Sequence, residues 1–220
     1  MIEIPAESFT YGGALNTGTE AARAPIIVAL SAHAYPHNPR WLELMAAAID
    51  RDGVACATPW SFGPDGHPMT EPILLDVELA REWGPLAGYS NHAGAYRREL
   101  WARRPFRADL PATEDKEWAW HWMLDGWTVA LDPTLEVEHS HGDDPLPEQF
   151  RKLYWIWVGL GMFREVDRPS LREALGEWWG NLDNYPSHIR ARLSPGRMAR
   201  LAGAYWGRRA AWRAQRDAPA

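Results

Sequence analysis

One apolar run limits the possible folds more than any other stretch of this chain. It reads Pro25-Ile-Ile-Val-Ala-Leu-Ser31 and contains no charged side chain. A continuous run of this β-branched type predicts a strand buried on both faces. Such strands occur in parallel or mixed sheets that are covered by helices. The prediction of the fold starts from this strand.

The segments around the run extend the same pattern. Residues 39–50 predict a helix with one apolar stripe, and residues 54–58 predict the next strand. Further helices are expected at 14–23, 96–102 and 114–125, and further strands at 128–131 and 135–139. The sequence therefore predicts the α/β class, with a Rossmann-like, mixed, mostly parallel sheet in residues 1–150. A helical C-terminal extension is predicted for residues 151–220.

Composition excludes several classes of protein. Cys56 is the only cysteine, so the chain has no internal disulfide and no cysteine-rich zinc site. The longest apolar stretch, 153–163, is shorter than the roughly 20 residues that cross a bilayer. Residues 1–10 have neither a basic start nor an apolar run, so we expect no secretory signal and a cytoplasmic location. No dinucleotide-binding, phosphate-loop or serine-hydrolase motif is present.

Two adjacent carboxylates, Glu114 and Asp115, open the helix predicted at 114–125. The helix dipole and the free N–H groups of a first turn favour an ionised carboxylate at this position. An ionised carboxylate at such a junction can remove a proton from a hydroxyl group. The alternative is that both residues only cap the helix, since acidic first turns are common.

Histidines form the second group with possible chemistry. His139 and His141 alternate along a predicted strand, so both point to the same face and could share a cation. Two histidines leave the third ligand of a metal site open. His33 follows the buried strand, at the edge where α/β sheets open into a ligand crevice. A metal hydrolase built on His33, His139 and His141 is therefore one hypothesis.

Five segments then follow one another in a fixed order. They are Tyr11-Gly-Gly-Ala-Leu-Asn-Thr-Gly18, Ile26-Ile-Val-Ala-Leu-Ser-Ala-His-Ala34, Tyr89-Ser-Asn91 with Ala95-Tyr-Arg-Arg98, Thr113-Glu-Asp-Lys-Glu-Trp118, and Glu138-His-Ser-His141. Together they resemble the family 2 glycosyltransferases of the GT-A fold, especially the bacterial rhamnosyltransferase-like branch. The resemblance covers roughly residues 10–165.

The resemblance implies an inverting transfer of a sugar from a nucleotide-sugar donor to a glycan or lipid-linked acceptor. It implies that Asp115 is the general base and that Glu114 helps to bind the acceptor. Substrate-binding roles are implied for Asn16, Ser31, Asn91 and Trp118. For Trp118 the alternative is a place in the core. The resemblance also implies that the protein acts in polysaccharide biosynthesis at the cell envelope.

Two departures from the family pattern matter. The family's D-x-D reads Ser31-Ala32-His33 here, so a divalent metal, Mn²⁺ or Mg²⁺, would have to use His33, His139 or His141. The family's first strand, V-x-V-V-I-P-x-x-N, has no counterpart in residues 1–11, so we expect the nucleotide-binding segment to be lacking. The alternative function is a non-catalytic glycan-binding or interaction subunit, which the 14 tryptophans also suit.

The end of the chain is basic. Residues 186–220 contain eight arginines and one acidic residue, a net charge of +7 that leaves −13 for the rest. Aromatic and apolar side chains lie among these arginines, a pattern typical of an amphipathic helix on an anionic membrane surface. We therefore expect a peripheral position on the inner face of the plasma membrane, and no nucleic-acid partner, since no nucleic-acid-binding motif is present.

Overall fold

The computed structural model describes residues 2–64, 66–139, 144–180 and 194–218, with the backbone alone for 177–180. The chain forms two compact units. The first contains Met1–Leu110 and Glu114–Ser140, and the second contains Pro111–Thr113 and His141–Ala220.

A five-stranded sheet is the centre of the first unit. Its strands are β1 (Ile26–Leu30), β3 (Val54–Pro59), β4 (Ile73–Leu75), β5 (Ala93–Arg97) and β6 (Thr128–Asp132), in the order β1-β5-β3-β6-β4. The strands β2 (Ala34–Pro36) and β7 (Val137–His139) form a separate antiparallel pair. A 3₁₀ turn over Pro133–Leu135 connects β6 with β7.

The sheet confirms the α/β class but corrects two details. The prediction of a mostly parallel sheet is wrong, because β3–β6 is parallel whereas β1–β5, β3–β5 and β4–β6 are antiparallel. The strand β1 is at an edge, where Val28 is 38% and Leu30 48% exposed. An apolar run indicates strand character but not strand order. The interior position next to β1 belongs to β5, whose small residues gave no strand signal.

Helices cover both faces of this sheet. They are α1 (Tyr11–Ala21), α2 (Trp41–Ile49), α3 (Val77–Trp83), α4 (Arg98–Arg103) and α5 (Glu114–Leu124). On one face Trp41, Met45 and Ile49 of α2 pack with Ala57 and Ala95. On the other face Trp118 and Trp122 of α5 pack with Cys56 and Tyr96. Neighbouring residues of β3 and β5 point to opposite sides, so α2 and α5 enclose the sheet.

The second unit is helical. Its helices are α6 (Leu146–Leu160), α7 (Leu171–Gly180) and α8 (Pro195–Asp217). Gly203, Gly207 and Ala211 form the buried side of α8 against α6. A Cβ atom on Gly203 would lie 2.3 Å from the Phe150 carbonyl oxygen, so the two backbones are in direct contact. Among the described residues, no helix is both long and apolar enough to cross a membrane.

Candidate functional site

Asn91 holds the two carboxylates at the start of α5. Its backbone N–H donates to Oδ2 of Asp115 at 3.0 Å, and its side-chain Nδ2 donates to Oε1 of Glu114 at 2.7 Å. The backbone N–H of Lys116 donates to Oδ1 of Asp115 at 2.7 Å. Glu114 is 4% and Asp115 8% exposed. The loop before β5 and the first turn of α5 therefore fix both acids in a site with little access to water.

The two acids differ in their environment. Burial, and then the charge of Asp115, raise the pKa of Glu114 to about 7. The hydrogen bond from Asn91 opposes this shift without cancelling it. Oxygens of Asp115 accept two backbone N–H groups, and a carboxylate has about four lone-pair positions, so Asp115 can still accept a bond from a hydroxyl. A hydrogen-bonded carboxylate beside a group that titrates near neutrality is suited to acid–base chemistry.

Three histidine rings form a second cluster, which we name the histidine row: His33, His139 and His92. The rings of His33 and His139 are stacked, with centroids 4.7 Å apart and planes at 18°. The ring of His92 lies 4.6 Å from that of His139 at 36°. The hydroxyls of Ser31 and Ser90 contact Nδ1 of His33 and of His92 at 3.1 Å and 2.8 Å, respectively.

The pairing of β1 with β5 links the two clusters through adjacent residues of one loop. In the β1–β5 pair Leu30 lies opposite Ala93, and the Ser31 backbone N–H donates to the His92 carbonyl oxygen at 2.8 Å. Asn91 contacts the carboxylates, and the next residue, His92, contacts the histidine row. The loop of Ser90, Asn91 and His92 thus serves both clusters.

Asn16, one of the expected substrate-binding residues, has a structural role. Asn16 Oδ1 accepts bonds from the Phe106 N–H at 2.9 Å and the Trp101 Nε1 at 2.8 Å, and its Nδ2 donates to the Phe106 carbonyl at 2.8 Å. These three bonds hold α1 to this segment. Substrate binding by Asn16 stays a prediction.

For Trp118 the structure corrects the expected contact with a sugar ring. It is 0% exposed, its Nε1 donates to the Arg104 carbonyl oxygen at 2.7 Å, and its ring packs against Tyr96 and Phe106. A buried ring has no free face for a sugar. The alternative, a tryptophan of the core, is what the structure shows, because its side of α5 faces the sheet.

The predicted metal ligands do not form a metal site in the part of the chain that is described. There, no three His, Cys, Asp or Glu side chains are placed to hold an ion. Stacked rings have their nitrogen lone pairs in nearly parallel planes, so those of His33 and His139 do not converge on one point. Glu138 instead pairs with His37 at 3.0 Å. The third predicted ligand, His141, lies outside the described residues.

Sequence reasoning missed His92 and Ser90 as members of the site. His92 directly follows Asn91, and this adjacency was the available signal. Tyr89 is fully buried next to this loop, and its hydroxyl has no hydrogen-bond partner within the described ranges. Burial raises the pKa of Tyr89 well above its usual value, and the charges of Cys56, Tyr96, Asp115 and Glu114 add to the shift.

One known protein family and one solved structure resemble this chain clearly. Residues 4–103 match the family model described as Glycosyl transferase family 2. The mannosyltransferase PcManGT from Pyrobaculum calidifontis, solved in complex with GDP-Man and Mn²⁺, superposes with a TM-score of 0.56 at 16% identity, over 94% of this chain and 67% of that chain. This likeness confirms the GT-A fold that the resemblance implies.

A second structure is more distant. S. aureus TarS, residues 1–349, gives a TM-score of 0.44 at 14% identity, over 95% of this chain and 72% of that chain. A TM-score at this level does not establish a shared fold, so the fold assignment depends on PcManGT. A search of curated proteins gave no match.

Proposed function

We propose, because residues 4–103 match the model of glycosyl transferase family 2, that this chain is an inverting glycosyltransferase with Asp115 as general base. The donor is a nucleotide-sugar, and the acceptor is a hydroxyl group of a glycan or of a lipid-linked sugar. The single observation that carries the proposal is the fixed position of Asp115, which two backbone N–H groups hold in a nearly buried site.

The reaction follows from this arrangement. Asp115 removes the proton from the acceptor hydroxyl as the hydroxyl oxygen attacks the anomeric carbon of the donor. The bond between that carbon and the diphosphate oxygen breaks, and the nucleoside diphosphate leaves with the electron pair. Attack from the side opposite the leaving group inverts the anomeric configuration. Glu114, held by Asn91, is positioned to hydrogen-bond the acceptor and fix its orientation.

The donor side of the site is the turn after β1. Ser31 and His33 lie there, and the histidine row extends it to His92 and His139. PcManGT binds GDP-Man with Mn²⁺, which supports a nucleotide-sugar donor. The described histidines supply no converging ligand set for Mn²⁺ or Mg²⁺. A metal requirement stays a prediction, which transfer assays after EDTA dialysis and re-addition of each ion would test.

The cellular setting is part of the proposal. Lipid-linked acceptors are held at a membrane, so we propose that the protein is cytoplasmic and lies peripherally on the inner face of the plasma membrane. Its product would then belong to polysaccharide biosynthesis for the cell envelope. The net charge of +7 in residues 186–220 supports contact with an anionic surface.

Asp115→Asn tests the assignment of the base. We expect kcat to fall about 100-fold or more with little change in KM, because the amide cannot accept the proton. Asp125→Asn is the matched control: this carboxylate follows the same helix but is exposed and pairs with Arg103, so we expect full activity. Circular dichroism and thermal unfolding would show that both variants are folded. Full transfer by Asp115→Asn would exclude Asp115 as the base.

A second candidate function is a non-catalytic glycan-binding subunit. It is favoured by the Ser31-Ala32-His33 turn, which carries no carboxylate for a metal-bound diphosphate. Calorimetry of the 220-residue chain with UDP-, GDP- and dTDP-sugars separates the two functions. Binding of one of these donors supports the transferase. A chain that binds glycans in the same assay but none of these donors supports the second function.

A further inference from the structure

The helix α8 has one side covered by α6 and an opposite side that faces solvent. The covered side contains Gly203, Gly207 and Ala211, which contact α6 directly or through its last turn. The opposite side presents residues at steps of three and four along the helix, so they share one face. These residues, which we name the outer stripe, are the exposed Met198, Ala202, Trp206, Arg213 and Arg216 and the partly buried Arg209, which also donates to the Tyr205 hydroxyl.

The outer stripe combines exposed apolar side chains with positive charge. Met198 is 46% and Trp206 51% exposed, although both are large and apolar. The stripe contains three arginines and no acidic residue, and α8 as a whole has six arginines against Asp217, a net charge of +5. The guanidinium of Arg209 lies 5.8 Å from the centre of the Trp206 ring. One cation is thus placed beside the aromatic side chain that would enter an interface.

We propose that the outer stripe is a docking surface for an anionic phospholipid bilayer. Arginine heads pair with the phosphate and carboxylate groups of anionic lipids, and each basic residue near such a surface strengthens binding several-fold. Tryptophan is favoured at the boundary between headgroups and acyl chains, and Met198 adds apolar contact. The helix lies in the plane of the surface, and its attachment is reversible because only one narrow face takes part.

Charge alone would also suit nucleic acid, but the stripe favours lipid. Met198 and Trp206 lie on the same face as the three arginines, and an exposed methionine gains free energy by entering a bilayer boundary and not by contact with a phosphate backbone. The inference deepens the proposed peripheral location and rests on that part of the proposed function. It does not depend on Asp115 or on the transfer step.

Flotation of the full chain with lipid vesicles tests the docking surface. We expect binding to vesicles of phosphatidylcholine with about a third phosphatidylglycerol to be more than about 10-fold stronger than to pure phosphatidylcholine, and to weaken with salt. Replacing Arg209, Arg213 and Arg216 together by Gln should reduce binding about 10-fold or more. Trp206→Ser should reduce it several-fold.

A charge-matched control separates the stripe from net charge. Replacing Arg23, Arg40 and Arg51 by Gln removes the same charge from exposed sites of the first unit, and we expect nearly unchanged vesicle binding. Equal loss in both triple variants, or no preference for anionic vesicles, would overturn the proposal. Binding of duplex DNA or RNA through the stripe in place of vesicles would overturn it as well.

Transfer to a water-soluble acceptor makes the two proposals distinguishable. The stripe variants should retain this activity while losing vesicle binding, because the stripe contains none of the residues assigned to the reaction. Loss of vesicle binding with transfer intact therefore supports the docking surface. Absence of transfer in a wild-type chain that binds vesicles counts against the transferase and leaves the docking surface standing.

Discussion

Glu114 makes the stability of the protein depend on pH in a direction opposite to that of most surface carboxylates. Its pKa of about 7 in the folded chain lies above the ordinary value of 4.5. The folded state therefore holds the proton more tightly than the unfolded state. The resulting stabilisation is fully present below about pH 4.5 and is lost as the pH rises to about 7.

This sign gives a direct prediction for Glu114→Gln. Between about pH 5 and about pH 7.5, we expect the free energy of unfolding to fall more in the wild type than in the variant, by on the order of 1–3 kcal/mol. A glutamine can still accept the hydrogen bond from Asn91 but has no proton to lose. Urea denaturation at both pH values measures the difference. Parallel curves for the two proteins would contradict the raised pKa.

Asn16 offers a second test at the level of a single residue. Asn16→Ala removes three hydrogen bonds to Trp101 and Phe106, and we expect a loss of about 1–3 kcal/mol of stability because the buried Phe106 and the partly buried Trp101 lose their bonds. The KM for the donor should not change in the folded protein. Asn38→Ala, which removes a bond to the exposed Arg40 N–H, should cost much less. A raised KM with unchanged stability would support a substrate-binding role for Asn16.

Among the elements, α6 and α8 are held together by close backbone contact. A Cβ atom at Gly203 would lie 2.3 Å from the Phe150 carbonyl oxygen, and one at Gly207 would lie 2.5 Å from that of Tyr154. Carbonyl groups of a helix cannot move aside as a flexible side chain can. The small residues of α8 are therefore required by its neighbour and not by its own helical conformation.

The corresponding prediction compares two helical glycines. Gly203→Ala should lower the free energy of unfolding by about 1–3 kcal/mol, because the methyl group forces the helices apart. Gly176→Ala in α7, where nothing lies within 4 Å of an added Cβ, should raise it by about 0.5–1 kcal/mol. Thermal and urea unfolding of both variants give the comparison. A gain of stability in Gly203→Ala would show that the helices are not packed this closely.

Elements with a strong local signal were predictable, and those defined by their neighbours were not. The acidic first turn of α5 and Gly126 after its end marked that helix, which spans Glu114–Leu124. The strand β5 has the sequence Ala-Gly-Ala-Tyr-Arg, in which Tyr96 alone favours a strand, and it was missed. Its small residues have a tertiary cause: a Cβ on Gly94 would lie 2.5 Å from the Tyr89 ring.

At the scale of the whole molecule, the single thiol distinguishes unfolding of the first unit from unfolding of the second. Cys56 is 0% exposed in β3, in the middle of the sheet, and burial raises its pKa well above the usual value. We expect a thiol reagent such as DTNB to leave the native protein unmodified and to react once per chain on unfolding. The labelling rate should follow unfolding measured by tryptophan fluorescence. Rapid labelling of the native chain would contradict this core position.

The site as a whole could be predicted only in part. Glu114, Asp115 and Asn91 could be selected from short segments, and the structure places them together. His33 and His139 were grouped from the sequence, but the place of His92 in the histidine row could not be predicted, because the three rings come from the turn after β1, the loop before β5 and the end of β7. Their proximity depends on pairings between strands far apart in sequence, and on the small residues of β5.

The antiparallel pairing of β1 with β5 also determines which mutations the site can tolerate. Substitutions along β5 that its packing allows, which excludes Gly94, keep Leu30 opposite Ala93 and so keep Asn91 and His92 at their positions. Deleting one residue of β5 would draw this loop along the strand by about 3.3 Å, more than the tolerance of a hydrogen bond, or would turn every β5 side chain to the other face. We therefore expect insertions and deletions to be tolerated before Ser90 and after Arg103, and not between these two residues.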